Sequence, residues 1–273
     1  MLCVLLFSLS VFAEKPAVFT DFKPLTETEL QSGTIRLFDG GTVYGWNNAE
    51  FKNGVLINSG KLADSPLRFF YDGTVNLFDT LTVDNTKYRP QNAKPIFDAK
   101  TLNGWKMIGD VKAEVVEGAI FLTGGSGSIE SADQYGDFIL QLEYKTDKPV
   151  NSGVFFRCIP GEKMNGYECQ IFNNPPDADY EKFIGTDTGG IFRRQVGRNV
   201  GAKDGVWNYL TIVAKRNEIA TWVNGIQVTN LKDDRKADPN PRKGLRTQAG
   251  TIQFQGHDSS TEIWLKNIKV QAL

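Results

Sequence analysis

The chain predicts an all-β protein, a sandwich or jelly roll of two antiparallel sheets. Three observations carry that expectation. Short runs rich in Val, Ile and Thr recur along the 273 residues, with turn residues between them. Glycine is abundant, at 27 residues, as a chain that reverses often requires. No long stretch sustains a helical period, and only Asp177 to Phe183 reads as a turn of helix. The length suits one large β domain or two small ones. Lys+Arg 31 against Asp+Glu 32 leaves a net charge of -1, which gives no electrostatic case for nucleic acid or an anionic membrane.

In chain order, Met1 to Ala13 is an apolar run ending in Val-Phe-Ala, without a preceding Lys or Arg. It reads as a secretory signal cut after Ala13, or else as a buried N-terminal strand, and it is too short to span a bilayer. A signal implies a secreted, periplasmic or cell-envelope protein. Residues 14–88 open on an internal repeat. Phe38, Asp39, Thr42, Gly45 and Trp46 recur at one offset as Phe97, Asp98, Thr101, Gly104 and Trp105, each set followed by a Gly and an apolar strand, 55–57 and 119–121. Asp64 to Tyr88 adds enough apolar residues for two or three strands but not for a full second domain, so 14–88 reads as a degenerate partial repeat. A linker is expected over Tyr88 to Lys94, before a main domain at 95–273.

In that domain Phe138, Leu140, Leu142 and Tyr144 alternate with Gln141 and Glu143, giving one apolar and one polar face. Tyr209 to Ala214 and Ile219 to Val223 are strands. Asn224-Gly225 is a two-residue hairpin turn, because both residues tolerate positive φ, and Ile226 to Val228 returns from it. Thr251 to Gln255 and Glu262 to Val270 close the domain. The polar, Pro-interrupted stretch Asp233 to Arg246 is a surface loop whose positive charges either cover a site or are solvated.

Asn151 to Phe172 reads as a hairpin folding about Lys163 and Met164, with Cys158 opposite Cys169 and Arg157 opposite Gln170. Arg157, Glu168 and Gln170 then share one face, and Val154, Phe156, Tyr167 and Ile171 join the two cysteines on the other. The polar face is either a ligand site or solvated surface, and the cysteines either a disulfide or buried thiols.

Chemistry has few candidates. The one histidine, His257, follows Gln253 and Gln255 on one strand face and precedes Asp258; a zinc site of several His is excluded, and Cys/His metal spacing is absent. No cofactor is called for; a carboxylate-bound divalent cation such as calcium stays open, without a loop signature. There is no Gly-x-Ser-x-Gly elbow and no P-loop; Gly124 to Ser128 is a turn between strands. Glu130, Glu143 and Glu168 are the carboxylates placed for acid/base work. Glu168 is the best of them, because Arg157 beside it would keep it ionised. Of Arg193 and Arg194 only one can face a site. The tryptophans read as core.

From about Pro95 to Leu273 the chain resembles the 3-keto-disaccharide hydrolase domain family. The resemblance rests jointly on Phe97-Asp98 with Leu102-Asn103-Gly104-Trp105, Tyr135-Gly136-Asp137-Phe138, Asn151 to Arg157, Gly166 to Ile171, Thr188 to Ile191, Trp222 to Gly225, and Ile268-Lys269-Val270. It implies a concanavalin-A-like jelly roll with a sugar-binding concave face, a carbohydrate partner and no membrane span, in a secreted, periplasmic or envelope protein of a bacterium. It also implies cleavage of glycosides oxidised at C3. A C3 ketone acidifies the C2 proton; a base removes it, the aglycone leaves C1 by β-elimination, and water adds to the enone. Expected on these grounds are Glu168 and His257 as catalytic residues, with Asn151, Arg157, Gln170, Gln255, Glu143, Asp258 and Arg193 around the sugar. The alternatives are a non-catalytic carbohydrate-binding module and an ordinary glycosidase with a carboxylate pair.

Overall fold

A computed structural model describes residues 22–46, 49–53, 55–58, 69–70, 82–173 and 187–273. The leader expected over 1–13 and the helical turn expected over 177–183 lie outside the described residues. A short helix α1 spans Glu27–Gln31, opened by a capping box in which Thr26 and Glu29 satisfy each other's backbone N–H groups. Strands follow at Ile35–Arg36 (β1), Ala49–Lys52 (β2), Val55–Asn58 (β3), Lys87–Tyr88 (β4) and Lys94–Pro95 (β5). The main body begins with Trp105–Gly109 (β6), Lys112–Val116 (β7), Ala119–Thr123 (β8), Gly127–Tyr135 (β9) and Phe138–Lys145 (β10). It continues with Ser152–Cys158 (β11), Tyr167–Ile171 (β12), Asn208–Lys215 (β13) and Glu218–Val223 (β14). Ile226–Lys232 (β15), Gly250–Gly256 (β16) and Glu262–Ala272 (β17) complete it.

Two antiparallel sheets result, so the jelly-roll expectation holds. One is ordered β15-β14-β13-β10-β17-β8-β7, with β5 pairing the far end of β17; the other is β12-β11-β16-β9-β6. The alternation seen in the sequence decides what lies between them. Phe138, Leu140, Leu142, Leu210, Ile212, Ile263 and Leu265 of the larger sheet meet Ile129, Val154, Phe156, Cys169, Ile252 and Phe254 of the smaller. Among the described residues no helix is long and apolar enough to cross a membrane.

The described residues between 22 and 88 form a second core on the outer face of the larger sheet. Ile139, Val213, Ala220 and Trp222 point away from the main core and are covered by Ile35, Leu37, Phe38, Trp46, Leu56 and Phe69. Trp222 donates to the Arg36 carbonyl at 2.8 Å. The Asn224-Gly225 turn sits at φ 50 and 79, and a side chain on Gly225 would run into Leu25. Trp222→Ala is therefore expected to destabilise by about 3–5 kcal/mol, measured by urea unfolding, because it empties the centre of this second core.

The repeated segments adopt the same turn. Asp39 accepts from the N–H groups of Gly41 and Thr42 and from the Thr42 hydroxyl; Asp98 does the same with Lys100 and Thr101. Trp46 and Trp105 each donate to the carbonyl nine residues back. Around the first turn, the described residues make only two-stranded sheets.

The 151–172 hairpin pairs in a different register from the one expected. Val154 lies opposite Cys169, Phe155 opposite Glu168 and Gly153 opposite Gln170. Cys158 and Cys169 are free and buried. The shift preserves parity, so the faces survive except at one residue. A β-bulge falls between Phe155 and Cys158 where β11 pairs β16, and Arg157 takes φ 49 there. Its side chain is turned off the Glu168 face.

Candidate active site

The outward face of the five-stranded sheet carries Phe155, Glu168, Gln170, Gln253 and Gln255, all buried although they face away from the core. Loops roof them. In the loop after β11, Met164 N–H donates to Gln253 at 2.9 Å and Gly161 N–H to Glu130 at 3.0 Å. Residues 187–195 pair along the free edge of β12, with Gly189 N–H on the Gln170 carbonyl and Phe192 N–H on that of Glu168. From the far side, Arg242 of the loop after β15 reaches over the face.

Glu168 is the chemically distinctive group. Both terminal nitrogens of Arg242 lie 3.3 Å from its Oε2. Its Oε1 receives no hydrogen bond and lies above Gly153, where a Cβ would come within 3.2 Å of it. Burial pushes the Glu168 carboxyl above its ordinary range, against the opposing charges of Arg242, His257 and Arg193. Beside it Gln170 donates to Asn151 Oδ1 at 2.7 Å. Gln255 is buried, yet its Oε1 has no partner, so it presents an acceptor that only an added donor would satisfy.

His257 stands at the rim, 44% exposed, its Nδ1 2.8 Å from Asp258 Oδ2. That contact orients the ring and leaves Nε2 without a hydrogen-bond partner among the described residues. Hydrogen bonds from Ser260 and His257 pull the Asp258 carboxyl down to about 2. Asp258 therefore stays ionised. Arg193 is exposed, with its guanidinium 5.1 Å from the Phe192 ring centre.

Other expected residues lie apart from this cluster. Arg157 is fully buried; it donates to the Gly136, Arg216 and Arg246 carbonyls and to Asp137 at 2.8 Å, and burial lowers its pKa. It ties loops together, and none of its four hydrogen bonds reaches the Glu168 cluster. The expectation that it keeps Glu168 ionised is corrected: Arg242 is the cation there. Glu143 lies on the outer face of the other sheet, bound by Asn267 at 2.6 Å and Lys266 at 3.3 Å, so it does not join the cluster either.

Glu130 shares the site face but is used up. Burial works to raise its carboxyl, and bonds from Gly161 N–H, Thr251, Lys106 and Gln253 outweigh it, so the net shift is downward. Among the described residues, no group of His, Cys, Asp and Glu side chains converges as a metal centre.

A family model described as a 3-keto-alpha-glucoside-1,2-lyase-like domain matches residues 92–271. A 3-keto-disaccharide hydrolase of Bacteroides thetaiotaomicron is 23% identical over 226 residues, covering 65% of this chain and 77% of that protein. Two solved structures from Parabacteroides distasonis, provisionally assigned as glycosyl hydrolases, superimpose with TM-scores of 0.56 and 0.55. The first is 26% identical and covers 67% of this chain and all of its own, 100%; the second is 24% identical, with coverage of 66% and 94%.

Proposed function

The chain belongs to the 3-keto-alpha-glucoside-1,2-lyase-like domain family, and from that premise we propose that it cleaves 3-keto-glycosides, with Glu168 removing the C2 proton. The observation that supports this most is the Glu168 carboxylate itself. One oxygen is held by Arg242, the other is unclaimed, and burial has raised its basicity. A base so poised suits abstraction of a carbon acid, whose proton an ordinary surface carboxylate would take poorly. The elimination then expels the aglycone from C1, and in this reading His257 protonates it. Gln255 Oε1 accepts from a sugar hydroxyl, which removes its unpaired burial. Asn151, Gln170 and Arg193 complete the sugar contacts, and Asp258 holds His257.

An ordinary glycosidase needs two carboxyl groups flanking the scissile bond, one of them protonated. On this face Glu130 is engaged by Gly161, Thr251, Gln253 and Lys106, and Asp258 by His257 and Ser260, so neither is free to act as the second carboxylate beside Glu168. In the same reading the protein works outside the cytoplasm, secreted or at the bacterial envelope.

The pH profile tests the base. The acidic limb of kcat/KM on a 3-keto-glycoside should have its midpoint above the ordinary carboxylate value of 4.5, since Glu168 must lose its proton to act. A limb at or below 4.5 would remove Glu168 from the role.

A further inference from the structure

Resting on the elimination reading of this site, we propose that Arg242 reads the C3 ketone: its guanidinium donates to the C3 oxygen and takes up the negative charge formed there. A guanidinium has five N–H donors. Arg242 uses three, two on Glu168 Oε2 and one on the Met164 carbonyl at 3.1 Å. The Nε hydrogen and one terminal hydrogen are unclaimed. The 3.3 Å contacts are long for a charge-assisted pair, which closes to about 2.7–2.9 Å when fully engaged. The cation is thus free to tighten onto another oxygen. Its unclaimed donors and the unclaimed Oε1 belong to one ion pair, so base and donor stand side by side. The substrate presents its acidic hydrogen and its ketone on adjacent carbons.

The loop is built to hold this arrangement. Arg235 bridges Asp233 at 2.7 Å to the carbonyls of Pro241 and Gly244. Tyr167 anchors Asp233 at 2.7 Å, and Arg194 holds the Arg242 carbonyl at 2.9 Å. The Arg242 guanidinium sits 5.0 Å from the Phe155 ring centre, on the floor of the site. Of the other arginines, Arg246 is held by Pro239 and Ala249 and Arg157 by its buried ring of carbonyls, while Arg193 stands exposed against the Phe192 ring and makes no hydrogen bond to Glu168.

Glu168 Oε1 takes the C2 proton, the C2–H pair becomes C2=C3, and the carbonyl π pair moves onto the C3 oxygen facing Arg242. When the oxygen pair re-forms C3=O, the C2=C3 pair becomes C1=C2 as the C1–O bond breaks, and the departing aglycone oxygen keeps that bond's pair and takes a proton from His257. Water addition across C1=C2 puts OH on C1 and H on C2. An unoxidised sugar develops no charge at C3, so Arg242 accelerates only the ketone.

The test follows C2-deuterium loss and aglycone release from 4-nitrophenyl 3-keto-glucosides of both anomers, for wild type, Arg242→Gln and Arg242→Lys, across pH. Loss of the cation raises Glu168 further, so the acidic limb must move up in Arg242→Gln whichever role is correct. The roles separate above that limb. As an enolate donor, Arg242 leaves Arg242→Gln about a hundred- to a thousandfold slower in kcat on the alkaline plateau, in both readouts, with Arg242→Lys between it and wild type. Recovery of wild-type kcat on that plateau would overturn the proposal and reduce Arg242 to tuning Glu168. If Arg242→Gln does not fold, an unimpaired Arg242→Lys overturns it equally. A wild type that neither loses label nor releases aglycone would instead sink the elimination reading itself.

Discussion

Glu168→Gln is expected to lower kcat on 3-keto-glycosides by about a hundred- to ten-thousandfold, with no loss of folding stability. The two halves of that expectation have one origin. Burial favours the protonated form of Glu168, so the folded chain binds that proton more tightly than the unfolded chain does. Stability from this group is present at low pH and is lost as pH rises through the raised pKa. At neutral pH the ionised carboxylate is a cost, and a neutral amide of the same shape relieves it. Thermal unfolding at pH 7 should therefore show a Tm for Glu168→Gln equal to or above wild type. At a pH below the ordinary carboxylate range the advantage should disappear. A large drop in Tm would mean that Glu168 is a structural ion-pair partner of Arg242 rather than a poised base.

Arg157→Met should show the opposite pattern: a loss of about 3–5 kcal/mol in urea unfolding, with kcat of the folded fraction close to wild type. The guanidinium is 0% exposed, and its loss would orphan three backbone carbonyls and take from Asp137 its charged partner, leaving that carboxylate only the Arg216 N–H at 2.8 Å. Retained stability with lost turnover would restore Arg157 to the site.

These two residues also show where sequence reasoning held and where it stopped. Alternation located the polar strand face, because a period of two fixes which residues share a side. Glu168, Gln170 and Gln255 were legible for that reason. Arg157 obeyed the same parity on paper, but one bulged residue breaks it, and a positive φ at a non-glycine residue leaves no trace in the sequence. Glu143 failed differently. Its strand face was polar as expected, but alternation cannot say which sheet a strand joins. Trp222 reads as core and is core, yet its partners come from the described residues between 22 and 88, where the repeat alone gave a hint. Arg242 was hidden in a polar, Pro-interrupted loop whose composition left open whether its positive charges cover a site or are solvated. Only the brace from Arg235 to Asp233, Pro241 and Gly244 explains why that loop is placed over the site. Glu130 and Gln253 share the polar face but satisfy each other, a distinction that needs the hydrogen bonds rather than the pattern.

The most direct measurement of the central claim pairs a C2-deuterated 3-keto-glucoside with its unoxidised parent and follows aglycone release and label loss for each. Proton abstraction by Glu168 predicts release from the keto sugar alone, with deuterium lost from C2 in step with turnover. Release from the parent, or release from the keto sugar with the C2 label retained, would contradict it.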